Sequence, residues 1–232
     1  GKTDASHSTG TLYVVSMPIG HPDDITLRAL TTLRGATVVA SEDPRVTQAF
    51  LDHHGITATI TSYGPLHRDE KIRLLLHRLQ QGQHVALVSD NGTPVIYDPG
   101  YLVVAAAHQA GIPVRVIPGP STITAAAAIS GFSGDAIIFA GQLPSTSRRL
   151  TQYLSGLRKE RSTLVFYVRR SSLCRLLKIL AKILPTRHMT IAVDLTTSKE
   201  ALFRGKPGEL VDRIRPVPKD SAVTVIIEGY VM

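Results

Sequence analysis

The 232 residues are 43% hydrophobic with one cysteine and no tryptophan, enough for one large or two small cored domains but not for a disulfide framework or a thiolate zinc site. The formal charge of +8 is concentrated: residues 141–187 hold eleven basic side chains against the single acid Glu160, so that segment carries +10 and the rest of the chain −2. A basic block on a near-neutral background predicts a polyanionic partner, nucleic acid first, and no apolar run reaches the roughly eighteen residues that span a bilayer.

Residues 1–10 are polar and patternless and are expected to form a tail outside the fold. No secretory pattern opens the chain, so a cytoplasmic, reduced setting is expected. Residues 11–16 form an apolar run closed by Met17-Pro18-Ile19-Gly20, predicting a first strand that ends in a stiff turn. Apolar positions at Ile25, Leu27, Ala29, Leu30 and Leu33 predict a helix over 25–33, capped by Asp23 or Asp24. A second strand at 37–40 delivers Ser41-Glu42-Asp43-Pro44-Arg45 at its carboxyl end. A helix to His54, a strand at 58–62 and a helix at 67–79 follow.

The run 84–88 reads as a buried strand and 101–110 as an alanine-rich helix. A strand at 114–117 then leads through Pro118-Gly119-Pro120-Ser121-Thr122 into another alanine-rich helix. Strands alternating with helices, without hairpin signals, predict a parallel, doubly wound N-terminal domain over 11–120. Beyond it, strands at 136–140 and 163–167 precede a helix at 170–184. Late strands at 189–195, 201–203 and 222–228 around a short helix at 208–214 predict a mixed-sheet C-terminal α/β domain over 121–232.

The loop from Ser89-Asp90-Asn91-Gly92-Thr93-Pro94-Val95 to Asp98-Pro99-Gly100 joins a buried strand to a helix. Such loops at the carboxyl ends of parallel strands take ligands, because their amides are unpaired and the crevice is concave. Glycine permits close approach, proline stiffens, and Asp90 and Asp98 supply carboxylates. A plain turn with capping aspartates uses the same residues. On the 170–184 helix, Arg175, Lys178 and Lys182 share one face. With Arg148, Arg149, Arg169 and Arg170 they are the side chains expected to follow RNA phosphates, although a solvated face of a core helix has the same pattern.

The nine histidines, including the pair His53-His54, show no His-x-x-x-His with a matching carboxylate, so they are expected to be solvated or packed and no metal is expected. Cys174 lies in an apolar stretch and reads as a buried structural thiol. No nucleotide-triphosphate loop, dinucleotide fingerprint or Gly-x-Ser-x-Gly elbow is present.

Four turns in order, Met17-Pro18-Ile19-Gly20, Glu42-Asp43-Pro44-Arg45, the 89–100 loop and Pro118-Gly119-Pro120-Ser121, resemble the tetrapyrrole methylase superfamily of S-adenosylmethionine-dependent methyltransferases over nearly the whole chain after residue 10. Within it the likeness is to the branch that 2′-O-methylates a cytidine ribose in bacterial small-subunit ribosomal RNA. The resemblance implies a two-domain α/β fold, a homodimer, ribosomal RNA or the small ribosomal subunit as partner, and S-adenosylmethionine held between the domains. It places the cofactor against Pro18, Gly20, Asp90, Gly92, Thr93, Val95, Ser121 and Thr122, with Val168 and Leu195 completing the pocket. The chain departs from the pattern at Tyr167-Val168-Arg169-Arg170-Ser171-Ser172, which lacks a glutamate, a proline and a histidine, and at Val193-Asp194-Leu195-Thr196-Thr197, which lacks an arginine and a lysine. Pro44, His21 and Asn91 are smaller departures.

Methyl transfer from a sulfonium to a ribose hydroxyl is an in-line displacement that needs alignment in a dry site and a base for the hydroxyl proton. Glu42 and Asp43 are the candidates for substrate handling, Asp90 is assigned to the cofactor, and Arg45 suits a phosphate. Alternatively, Glu42 and Asp43 bridge to Arg45 or cap the following helix. Two other functions stay open: methylation of a small acceptor such as a corrinoid precursor, and RNA binding by a catalytically degenerate relative.

Overall fold

Short apolar runs buried on both faces form the three central strands of the sheet in the first half, and strand direction follows from the helices between them. The computed structural model describes residues 8–94 and 96–232, which divide into two compact units, one ending at Ser121 and one beginning at Thr122. The first comprises β1 (Leu12–Val15), α1 (Leu27–Gly35), β2 (Val38–Ser41), α2 (Pro44–His53), β3 (Thr59–Ser62), α3 (Arg68–Gln80), β4 (Val85–Leu87), α4 (Tyr101–Gln109) and β5 (Val114–Ile117). Its strands lie in the order β3-β2-β4-β1-β5, every neighbouring pair parallel.

From adjacent strands β1 and β4 the chain leaves in opposite directions, β1 toward β2 and β4 toward β5. Helix α1 packs with α2 under one face, around Leu33, Leu51 and Val39. Helices α3 and α4 cover the other, around Leu75, Leu79 and Val103. Such a reversal opens a crevice beyond the carboxyl ends of the two strands, where ligands bind in open α/β sheets.

The second unit comprises α5 (Thr122–Ser130), β6 (Ile137–Gln142), α6 (Ser147–Gly156), β7 (Thr163–Arg169), α7 (Arg170–Ile183), β8 (Met189–Val193), β9 (Ala201–Gly205), α8 (Pro207–Arg213) and β10 (Ala222–Ile227). Its sheet runs β6-β7-β10-β8-β9, with β6 and β7 parallel and the remaining pairs antiparallel. The α/β class, with one parallel and one mixed sheet, is therefore as the sequence predicts. Leu173, Leu176, Leu177 and Leu180 of α7 pack with Leu150 and Leu154 of α6 and Phe166 of β7 into one core. Cys174 is only half-buried at the edge of that core.

Three expectations need correction. Helix α1 is capped by Thr26, whose hydroxyl accepts from the Ala29 amide at 3.0 Å, and not by Asp23 or Asp24, which lie outside its first turn. Helix α6 went unread although Leu150, Tyr153, Leu154 and Leu157 have helical spacing behind the Thr146 cap. Residues 1–7 of the expected tail lie outside the described residues, but Gly10 belongs to the fold. Its amide donates to Leu79 O at 2.7 Å, and a Cβ at this position would stand 1.8 Å from Gln83 O.

Gly10→Ala is therefore expected to destabilise the protein by about 1–3 kcal/mol in urea unfolding, as overpacking against backbone does.

Candidate functional site

The tips of the central strands β4, β1 and β5 are tied to one another by side-chain and backbone hydrogen bonds. Thr93 stands at the junction: its Oγ1 donates to Pro120 O at 2.9 Å and accepts from Ser16 Oγ at 2.8 Å. The Met17 amide donates to Gly92 O at 2.9 Å, the Gly92 amide to Pro18 O at 3.3 Å, and Asn91 Nδ2 to Ile19 O at 3.0 Å. Ser89 Oγ closes the loop on itself, 2.9 Å from both Asn91 O and Gly92 O. Gly92 has φ 69°, and a Cβ there would meet Ile19 Cγ2 at 3.2 Å, so only glycine fits this crossing of the two turns without strain. Pro18, Gly20, Asp90, Gly92, Thr93 and Ser121 are thus brought to one end of the parallel sheet. Val95 lies outside the described residues. A groove of about 390 Å³ opens along these turns and the flank of α2, lined by Met17, Ile19, Asp90, Asn91, Val46, Phe50 and His53 among others.

The carboxylates beside the groove have different tasks. Asp43 is the N-cap of α2: its Oδ1 accepts from the Arg45 amide at 3.1 Å and from Arg45 Nε at 3.4 Å. Those two hydrogen bonds hold its carboxyl below the usual range. Arg45 is otherwise extended into solvent, its side chain 92% exposed. The capping role foreseen as an alternative is therefore the one Asp43 plays in the structure.

Glu42 makes no such cap. Partial burial pushes its carboxyl up, the charges of Asp90 and Asp98 push the same way, and Arg68, 3.9 Å away, opposes them. Asp90 is also raised, first by desolvation, although it accepts from the Asp43 amide at 3.3 Å. Asp98 Oδ1 accepts from the Gly100 amide at 2.7 Å and orders the start of α4. Sequence reasoning missed Tyr63 and Arg68, which complete this group; neither lies in a motif.

In the second unit Val168, Leu195 and Thr122 gather at one sheet edge. Strands β7 and β8 run in the same direction on either side of β10, so Val168 near the end of β7 and Leu195 just past β8 share that edge. Thr122, at the start of α5, hydrogen-bonds the Tyr167 hydroxyl, whose own pKa is raised by burial. Asp194 and Thr196, flanking Leu195, have φ 46° and 69°. Asp194 Oδ1 accepts from the Ala222 amide at 2.8 Å and Glu200 Oε1 from the Thr196 amide at 2.9 Å, which hold this strained turn.

The basic residues divide. Arg148 and Arg149 lie exposed in the first turn of α6, and Arg169 is the exposed N-cap of α7. Because β6 and β7 are parallel, these three share the edge of Val168 and Leu195. Lys178 and Lys182 are exposed farther along α7. Arg170 is engaged internally, its Nε donating to Val217 O at 2.9 Å and its Nη2 to Ile214 O at 3.1 Å. Arg175 is tied to Ser145 O.

Among the described residues, Asp23, His53 and His54 form a group whose ligand atoms lie within 4.8 Å of one another. His54 stacks on Phe50 with ring centroids 4.6 Å apart and sits 2.9 Å from Pro22 O, while His53 is exposed. Among the described residues no helix is long and apolar enough to cross a membrane.

The profile of the tetrapyrrole (corrin/porphyrin) methylases matches residues 11–211. The chain belongs to the tetrapyrrole methylase family. This methylase is 37% identical over 220 residues to the ribosomal RNA small subunit methyltransferase I of Thermotoga maritima, covering 95% of this chain and 99% of that one. To the protein of the same name from Escherichia coli O157:H7 it is 35% identical over 229 residues, covering 97% and 80%. Its fold is similar to that of the methyltransferase CobJ, with a TM-score of 0.71 at 20% identity over 95% of each chain. It is also similar to the uroporphyrin-III C-methyltransferase of Thermus thermophilus crystallised with S-adenyl homocysteine, with a TM-score of 0.63 at 23% identity, covering 94% of this methylase and 97% of that chain.

Two measurements check this geometry. Thr93→Val leaves Ser16 Oγ and Pro120 O without their shared partner, and urea unfolding is expected to register a loss of about 1–3 kcal/mol. Asp43 has a depressed carboxyl, so its contribution is present above its unfolded pKa and is lost as pH falls through the folded one. Asp43→Ala is therefore expected to be less stable than the parent at neutral pH, with the gap closing in acid when thermal unfolding is followed against pH.

Proposed function

We propose that the protein transfers the methyl group of S-adenosylmethionine to the 2′-hydroxyl of a cytidine ribose in small-subunit ribosomal RNA. The observation that carries this reading is the knot of turns at Thr93, which sets a rigid backbone wall, the Asp90 carboxylate and a groove at the switch point of a parallel sheet. Relatives named ribosomal RNA small subunit methyltransferase I, which share a third or more of the sequence over nearly the full chain, support small-subunit ribosomal RNA as the acceptor. So do the exposed Arg148, Arg149, Arg169, Lys178 and Lys182 of the second unit, which suit a phosphate backbone.

The residues present fit the cofactor. The groove is of the size that holds small ligands, its walls at Met17, Ile19 and Phe50 suit a flat ring, and Asp90 suits hydroxyl or ammonium groups. When bound, S-adenosylmethionine supplies an electrophilic methyl on a sulfonium whose charge disappears in the displacement. The chain contributes alignment, exclusion of water and a proton acceptor. In that reaction the Glu42 carboxylate would take the proton of the 2′-hydroxyl as the oxygen is methylated. Asp43 is spent on capping α2, whereas Glu42 has no such duty and its raised carboxyl is the better base. Action on ribosomal RNA supports a cytoplasmic location. A homodimer accords with the exposed Leu66, Leu74, Tyr97 and Tyr101 of the first unit.

The test is incubation with labelled S-adenosylmethionine and undermethylated small ribosomal subunits, with the product nucleotide mapped. Label on a ribose 2′-oxygen is expected, and Glu42→Gln is expected to lower the rate by about 100-fold or more while cofactor binding by calorimetry is kept. Label in a corrinoid precursor and none in RNA would overturn the assignment, as would binding of both ligands without transfer.

A further inference from the structure

The segment after β3 carries no motif, yet it is built against Glu42. Tyr63 is fully buried, and its hydroxyl has no hydrogen-bond partner among the described residues. An unpaired phenol in the interior is costly unless it serves a site. Four residues on, His67 turns the chain with φ 56°, an unfavourable backbone for a residue with a Cβ, and α3 starts there without a side-chain cap. That turn returns Arg68 toward the sheet. Its Nε donates to Tyr63 O at 3.0 Å, and its Nη2 stands 3.9 Å from Glu42 Oε1, with the two side chains only 24% and 36% exposed.

We infer that Arg68 is a positioning residue for Glu42, holding a guanidinium beside its carboxylate through the anchor on Tyr63 O. The inference rests on Glu42 being the proton acceptor of the proposed methyl transfer. The charged and titratable groups facing Glu42 are Asp90 and Asp98 from the loop after β4, Tyr63 from the segment after β3, Arg68 from α3, and Asp43 and Arg45 beside it in the chain. Burial and both aspartates favour the protonated, inactive form, and Arg68 is the cation that favours the base. The sign follows: without Arg68 the Glu42 carboxyl rises further, and activity fails at a higher pH than in the parent.

The full chain, undermethylated small subunits and S-adenosylmethionine are used to record kcat/KM against pH for the parent, Arg68→Gln, Arg68→Lys and Glu42→Gln. The acid limb of Arg68→Gln is expected to move to higher pH, with a deficit about two- to fivefold deeper at the acid end than on the plateau, the scale of a half-exposed ion pair. Arg68→Lys keeps the charge and is expected to keep the limb close to the parent's. Calorimetry with S-adenosylmethionine confirms that each variant is folded, and Arg68→Met, which also removes the charge, carries the test if Arg68→Gln is not. A Glu42→Gln chain that is slow beside an Arg68→Gln chain whose limb is unmoved, or whose loss is equal at every pH, overturns the role of Arg68 alone. A Glu42→Gln chain with the parental rate overturns Glu42 as proton acceptor and the Arg68 role with it.

Discussion

One hydroxyl, that of Thr93, ties together the three turns beside the groove of the first unit. The tips of β1, β4 and β5 leave the sheet as three separate turns, and beyond the last ladder bonds nothing in a parallel sheet obliges such turns to stay together. Thr93 Oγ1 accepts from Ser16 and donates to Pro120 O, so a single atom ties all three. Partial burial removes competing water and makes each of these bonds worth more than it would be at the surface. The Met17–Gly92 and Gly92–Pro18 backbone bonds then lie across the same gap. The close approach admits no side chain at position 92, which is why glycine stands there and why the crevice has a stiff wall.

Given that wall, two neighbouring carboxylates separate in character without any special chemistry. Asp43 sits at the amino end of α2, where an amide and a guanidinium stabilise its charge. Glu42, one residue earlier and still at the end of β2, faces inward toward Asp90 and Asp98, where burial and like charge disfavour ionisation. The direction of each pKa follows from which side of the strand-to-helix junction the residue occupies. Position along the backbone sets which carboxylate is structural and which is available for proton transfer.

The alternating pattern of apolar runs and helical spacings was enough to place the parallel first sheet and the mixed second one, because the central strands β1, β2, β4, β7, β8 and β10 are largely buried and their hydrophobicity is hard to mimic. Helix α6 carried the same signal in Leu150, Tyr153, Leu154 and Leu157 behind Thr146, but the cap at Thr26 did not, since Asp23 and Asp24 are equally good capping residues and only geometry excludes them. The proline-and-glycine turns were legible as a set. Their hydrogen-bonded junction was not, because it depends on contacts such as Ser16–Thr93, 77 residues apart. Tyr63 and Arg68 were invisible for the same reason: an ordinary tyrosine and an ordinary helix-start arginine acquire meaning only from what lies across the sheet end. Arg170 and Arg175 looked like surface charge on the helical wheel, but carbonyls from the segment just after α8 and from the loop before α6 take them up.

The basic residues that remain exposed stand where helix stability alone would not put them. Arg148, Arg149 and Arg169 occupy the amino ends of α6 and α7, whose first turns contain no acid, and the positive end of a helix dipole repels cations. Each helix therefore gives up some stability in the free protein, and a phosphate arriving at this edge would relieve both the side-chain repulsion and the unpaired amides beneath. From that edge α7 carries the charge outward: at about 1.5 Å per residue, Lys178 and Lys182 lie about 12 and 18 Å beyond Arg170. Charges placed both at the strand ends and at such distances suit an acceptor whose own charges repeat along a backbone. A polynucleotide, the acceptor proposed above, is of that kind.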